Sequence, residues 1–157
     1  MHHFLIRAIG SPTESWQSEA LASYLKRLSP FAKIEMIELK EGHHGSAKPD
    51  QIRTKAVEGS ELLQRIPKGA VIIALDEAGK NFSSMDFSRE LAKWSDSGRS
   101  VVFLLGGSWG LDESVRNQAD LLLSFGRETV PHILARILLL EQLYRAETIL
   151  IGKTYHK

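Results

Sequence analysis

The run "SVVFLLGGSWGL", residues 100–111, decides the fold. Five apolar residues in succession, 101–105, leave no polar side to face water, so the segment reads as a strand buried on both faces. It stops at Gly106 and Gly107 and resumes after Gly110. "AVIIAL" at 70–75 has the same character. Strands of this kind belong to largely parallel sheets with helices covering both faces, an α/β architecture.

Working outward, "FLIRAI" (4–9), "KIEMIEL" (33–39) and "LLLSF" (121–125) supply three more strands. Helical spacing of apolar residues fills the gaps at 13–28, 50–65, 83–94, 113–119 and 131–148. Trp16, Ala20, Leu21, Tyr24, Leu25 and Leu28 form the apolar side of the first helix, and Ile52, Ala56, Leu62 and Leu63 that of the second. Ser83 or Ser84 caps the third helix and Asp112 the fourth. Pro131 opens the last helix in the first-turn position that proline tolerates. That helix carries Leu138, Leu139, Leu140 and Leu143, too many for one stripe, so it is expected to be buried on two sides, one of them a candidate subunit interface. Arg136, Glu141 and Arg145 lie among these apolar residues, either serving a functional role or simply snorkelling or pairing with one another. "DEAGKNF" (76–82) reads as a turn, and 40–49 as a long polar loop.

At 157 residues, with 43% hydrophobic and 25% charged side chains, the chain is sized for one domain, 1–157, with a real core. No apolar stretch has the length of a bilayer span, and the first ten residues lack the pattern of a signal peptide. The absence of cysteine removes disulfides, thiolate metal sites and cysteine nucleophiles, and fits the cytoplasm. A net charge of +1 is too small for binding a bare duplex by charge alone, so any nucleic acid must be gripped by a local patch or by a surface built from more than one chain. The adjacent pairs His2-His3 and His43-His44 lack carboxylates at helical spacing and suit solvated loops, so no metal is expected.

In parallel sheets of this type ligands sit beyond the carboxyl ends of the strands. Three loops emerge there, after 75, 105 and 125. Gly106-Gly107-Ser108-Trp109-Gly110 lacks the dinucleotide spacing, and Gly152-Lys153-Thr154 lacks the first glycine of a phosphate loop. The glycine turn is either a tight turn or a pocket wall where backbone meets ligand. "SFGRETVPH" (124–132) either presents amides at a helix N-terminus or simply joins strand to helix. Asp76 and Glu77 either position a ligand or begin a solvated loop. The terminal Thr154-Tyr155-His156-Lys157 combines an aromatic with basic groups, as in base stacking, or is a frayed end.

More follows from four segments taken together: "LDEAGKNFSS" (75–84), "FLLGGSWGL" (103–111), "LSFGRETVPHILARILLLEQLYRA" (123–146) and the final "YHK". With "YLKRLSPFAKIEMIEL" (24–39), they closely resemble the ribosomal RNA large subunit methyltransferase H family, small bacterial members of the SPOUT class. The resemblance implies an α/β trefoil knot, a homodimer, S-adenosylmethionine as cofactor, and methylation of N3 of a pseudouridine in a stem-loop of 23S ribosomal RNA within the ribosome. It implies cofactor contacts at Leu75, Gly106, Gly107, Gly110, Phe125, Gly126, Arg127, Glu128, Thr129 and Val130. It implies substrate-side or catalytic roles for His132, Arg136, Tyr155 and His156, and RNA contacts by Arg145, Lys153, Tyr155, His156 and Lys157. Trp109 departs from the family's more usual polar or acidic residue; it could stack on cofactor, target base or neighbouring loop. A non-catalytic RNA-binding module of the same fold is the competing expectation, disfavoured by the intact glycine frame.

Overall fold

A computed structural model describes residues 1–43 and 46–157; His44 and Gly45 lie outside the described residues. The elements run β1 (His2–Ile9), α1 (Ser15–Leu28), β2 (Ala32–Leu39), α2 (Gln51–Leu62), β3 (Val71–Asn81), α3 (Ser84–Asp96), β4 (Val101–Leu105), α4 (Glu113–Gln118), β5 (Leu121–Ser124) and α5 (His132–Leu150). The five strands form one sheet in the order β2-β1-β4-β3-β5, and every neighbouring pair is parallel. The α/β architecture read from the two apolar runs is therefore present.

Period-two alternation splits the sheet's side chains between two cores. Phe4, Ile6, Ala8, Ile73 and Phe103 meet Leu21 and Leu28 of α1, Phe87 and Leu91 of α3, and Leu139, Leu140 and Leu143 of α5. Leu5, Ile9, Ala74, Val102 and Leu104 face the other way, against Leu62 of α2 and Val115 of α4. All five residues of β4 are buried, as a strand at the centre of a doubly covered sheet requires. Arg7 is buried too: its Nε donates to the Leu62 carbonyl at 3.0 Å and Nη2 to that of Glu61 at 2.8 Å, satisfying the last turn of α2.

Ser83 accepts from the Asp86 amide and Asp112 from that of Ser114, so both caps form as read. Other expectations need correction. Helix α2 buries Thr54, Glu58, Gly59 and Leu62, while Ile52 is 81% exposed. Its sheet-facing side is built from small and polar residues, which an apolar-periodicity reading passes over. Pro131 sits at the N-cap position with ψ 140°, one residue before α5 begins. Strand β3 does not end at 75: Leu75 and Lys80 both pair with Leu123, so 76–79 bulge out and the strand resumes to Asn81. His2 is in β1 rather than in a loop, its Nδ1 2.6 Å from the buried Glu147 carboxylate. Burial holds that carboxyl above the usual carboxylate range, with the His2 bond opposing the effect. No helix among the described residues is long and apolar enough to cross a membrane.

Candidate active site

At the carboxyl edge of the sheet the three loops converge. Leu75–Glu77, Leu105–Leu111 and Phe125–Val130 wall one cleft of about 1170 Å³. Gln51 and Lys55 of α2 close one end, and His132, Ala135 and Leu138 of α5 the other. All ten residues expected to hold the cofactor line this cleft: Leu75, Gly106, Gly107, Gly110, Phe125, Gly126, Arg127, Glu128, Thr129 and Val130.

The glycine turn is a four-residue hairpin closed by the Gly110 amide donating to the Gly107 carbonyl at 3.1 Å. A Cβ on Gly106 would lie 2.8 Å from the Gly110 carbonyl oxygen, and one on Gly107 3.0 Å from Glu58 Oε1. These two positions demand glycine because the far side of the hairpin and a buried carboxylate occupy the space. Glu58 is 2% exposed; Oε1 accepts from the Gly42 amide at 3.1 Å, and the carboxylate also faces the Gly107 amide. It thereby braces the turn from behind.

Burial pushes the Glu58 carboxyl above the usual carboxylate range, opposed by the Gly42 amide. Between the unfolded and the raised value the folded chain holds more protons than the unfolded one, so stability falls as pH rises through that window. Glu58→Gln keeps an acceptor for Gly42 and removes this loss. Its melting temperature is expected to exceed that of the wild type at about pH 8 and to converge with it towards about pH 4. A gap that does not vary with pH would contradict the assignment.

Asp76 and Glu77, projected by the β3 bulge, are committed within the site. Arg116 Nη1 lies 2.9 Å from Asp76, and the Thr129 hydroxyl donates to Glu77 at 2.9 Å, tying two of the loops together. Burial holds the His132 imidazole below the usual histidine range, with Glu41 opposing and Arg136 reinforcing the shift. A neutral ring at the cleft wall can accept a proton.

Arg136 is elsewhere. It is 1% exposed, its Nη2 donates to the carbonyls of Gly10 at 2.8 Å and Ile9 at 3.2 Å, and Nη1 lies 3.2 Å from Glu38. The expectation of a substrate-side role is corrected: this guanidinium fastens α5 to the ends of β1 and β2. Glu38 is 38% exposed and can be hydrated alone, so the cost of Arg136→Met is that of leaving the Ile9 and Gly10 carbonyls without this donor, about 1–3 kcal/mol. At this chain length that corresponds to a melting temperature lower by roughly 2–12 °C. An unchanged melting temperature would show that the fastening is not needed.

The tail does not enter the cleft of its own chain. Tyr155 donates to Glu141 at 3.2 Å, its ring meets Tyr144 at 4.8 Å between centroids, and the Arg145 guanidinium lies 4.7 Å from its centroid. His156 Nδ1 is 3.4 Å from Arg145, and Lys153 lies over Phe31. Arg145 also pairs with Glu141 at 2.6 Å, whereas Arg136 pairs with Glu38 of β2 and with neither of them. The end is folded along α5 rather than frayed, about one helical turn beyond Leu138 at the rim of the cleft. Glu58, Lys55, Gln51 and Arg116 were not picked out from the sequence. Only the spacing of Thr54, Glu58 and Leu62, four apart, could have marked the buried face of α2.

A family model described as "Predicted SPOUT methyltransferase" matches residues 2–156. The chain belongs to the SPOUT methyltransferases. Within them it is 44% identical over 154 residues to a ribosomal RNA large subunit methyltransferase H of Paramagnetospirillum magneticum, covering 98% of this chain and 97% of that one. It is 41% identical to the protein of the same name from Carboxydothermus hydrogenoformans, covering 97% and 98%. A probable methylase family protein from Haemophilus influenzae shares the fold at TM-score 0.52, with 8% identity, over 99% of this chain and 70% of that one. Membership of the methyltransferase H family makes the protein an enzyme, a methyltransferase. Among the described residues no group of His, Asp or Glu side chains is arranged to hold a metal ion.

Proposed function

We propose that this enzyme transfers a methyl group from S-adenosylmethionine to large-subunit ribosomal RNA, at N3 of a pseudouridine in a 23S stem-loop presented by the ribosome. The observation that carries the reading is the convergence of three loops on one cleft in a chain of this family. The residues fit the donor. Leu75, Leu105, Phe125 and Val130 offer apolar walls, the glycine turn offers bare backbone, and Glu128 is a carboxylate for a cationic ligand. When bound, the donor supplies a sulfonium-activated methyl group, so the protein's work is alignment more than activation.

The remaining roles follow from position. N3–H of the target must lose its proton as the methyl arrives, and neutral His132 is the substrate-side candidate that lines the cleft of its own chain. In this reading Tyr155, His156, Lys153, Lys157 and Arg145 meet RNA from the C-terminal end of α5 and the tail packed on it, while Leu134 and Leu138, both 38% exposed, lie nearer the start of the helix. Those two leucines, with exposed Val130, give a homodimer its surface. Pairing two chains brings one tail towards the other's cleft and doubles a basic surface that one nearly neutral chain lacks. The trefoil knot belongs to this reading: residues 125–131 carry the chain from β5, at one edge of the sheet, towards the end of β1, where Arg136 of α5 meets Ile9 and Gly10. A single domain over 1–157, working in the cytoplasm without a metal, completes it. Calorimetric titration of the folded protein with S-adenosylmethionine tests the cofactor directly. Micromolar binding is expected; a flat titration would overturn it.

A further inference from the structure

The cleft is larger than the roughly 300–1,000 Å³ typical of a pocket for one small ligand, and it extends past the glycine turn to α2. At this end the turn carries Trp109, 41% exposed at the hairpin tip. Among the described residues no aromatic ring or guanidinium stacks on its indole. The hairpin does not need the side chain, because the Gly107–Gly110 bridge closes it and Glu58 braces it. A large flat apolar group is thus held out on a fixed support.

Its neighbours have a definite chemistry. Gly59 of α2 packs against Asp112, three residues after Trp109, and Lys55 lies one turn earlier on the same helix, close enough to help lower the Asp112 carboxyl. Three cations line the cleft besides His132. Arg116 is neutralised by Asp76, whereas Lys55 and Arg127 make no ion pair or hydrogen bond among the described residues. A flat aromatic face with an unpaired lysine at the same end of the cleft is a donor set for a base and its phosphate.

We propose that Trp109 and Lys55 form a subsite for one unpaired nucleotide of the RNA, adjacent to the methyl-donor pocket. The base stacks on the Trp109 indole, and Lys55 holds a flanking phosphate. The subsite rests on the reading of the protein as an RNA methyltransferase and deepens it.

The test compares wild type with Trp109→Ala, Trp109→Phe and Lys55→Gln. S-adenosylmethionine affinity is measured by calorimetry, 23S RNA affinity as a function of KCl, and oligomeric state by light scattering. Trp109→Ala is expected to weaken RNA binding about tenfold, the scale of one lost base-aromatic stack. Phenylalanine should restore most of that loss, and donor affinity should stay within about twofold of wild type. Lys55→Gln should reduce the salt slope of RNA binding by about one. A Trp109→Ala variant that loses donor affinity in parallel would assign the indole to the cofactor, and one that changes only oligomeric state would assign it to a second copy. Either result, or unchanged RNA binding, overturns the subsite. Wild-type protein that neither binds nor methylates RNA would bring down the parent reading instead.

Discussion

Gly106→Ala is expected to weaken S-adenosylmethionine binding by a factor of about 10 or more, the tenfold corresponding to about 1.4 kcal/mol of misfit. The new methyl carbon would sit 2.8 Å from the Gly110 carbonyl oxygen and 2.9 Å from its carbon, both backbone atoms on the far side of the hairpin. Main chain cannot turn aside as a side chain can, so the hairpin must open and the wall of the cleft must move. Gly107→Ala should cost less, because the atoms met there, the Ile9 methyl at 2.9 Å and the Glu58 carboxylate at 3.0 Å, belong to side chains and not to the main chain. Gly98→Ala is the control: φ is +73°, the backbone is strained by any side chain, yet nothing lies within 4 Å and the residue does not line the cleft. It should lower the melting temperature and leave donor affinity alone. Isothermal titration of the three variants, each checked for folding, should order them 106, 107, 98. Equal affinities would contradict the hairpin's part in the pocket.

Removal of residues 155–157 is expected to spare donor binding while reducing methyl transfer to RNA below detection. None of the three lines the cleft of its own chain, so the donor pocket should survive their loss. The tail is tied to half-buried residues of α5: Tyr155 meets Glu141, Tyr144 and Arg145, of which only Tyr144 packs against the core. What is lost is an aromatic and two basic groups at the rim where RNA must enter. Single-turnover transfer from labelled donor, run beside calorimetry on the same truncated protein, separates the two effects. Undiminished transfer would reduce the tail to a packing element of α5.

The layering of the molecule was legible because its decisive strands are apolar on both faces, a pattern confined to covered parallel sheets. Residues 101–105 and 71–75 announce that directly, and their carboxyl ends give the position of the cleft. The parts that escaped are those where a polar residue is buried or paired. Helix α2 turns Thr54, Glu58 and Gly59 inward with Leu62, and Ile52 and Ala56 outward, so hydrophobic periodicity found only the C-terminal half of its buried side. Arg136 matches a family motif and lies on a helix leading from the cleft, yet carbonyls of Ile9 and Gly10 claim it, 127 and 126 residues away in sequence. The β3 bulge depends on Leu75 and Lys80 sharing one partner, Leu123, which no local propensity encodes. Contacts of that range are set by tertiary packing, and only the assembled chain reveals them.

The central claim is tested most directly by methyl transfer from radiolabelled S-adenosylmethionine to intact ribosomes and free 23S RNA, followed by nucleoside digestion and identification of the labelled product. Label on N3-methylpseudouridine from the 23S stem-loop, reduced in a Gly106→Ala reaction at subsaturating donor, is the predicted result. Label on uridine or ribose, or no label at all from folded wild-type enzyme, would contradict it.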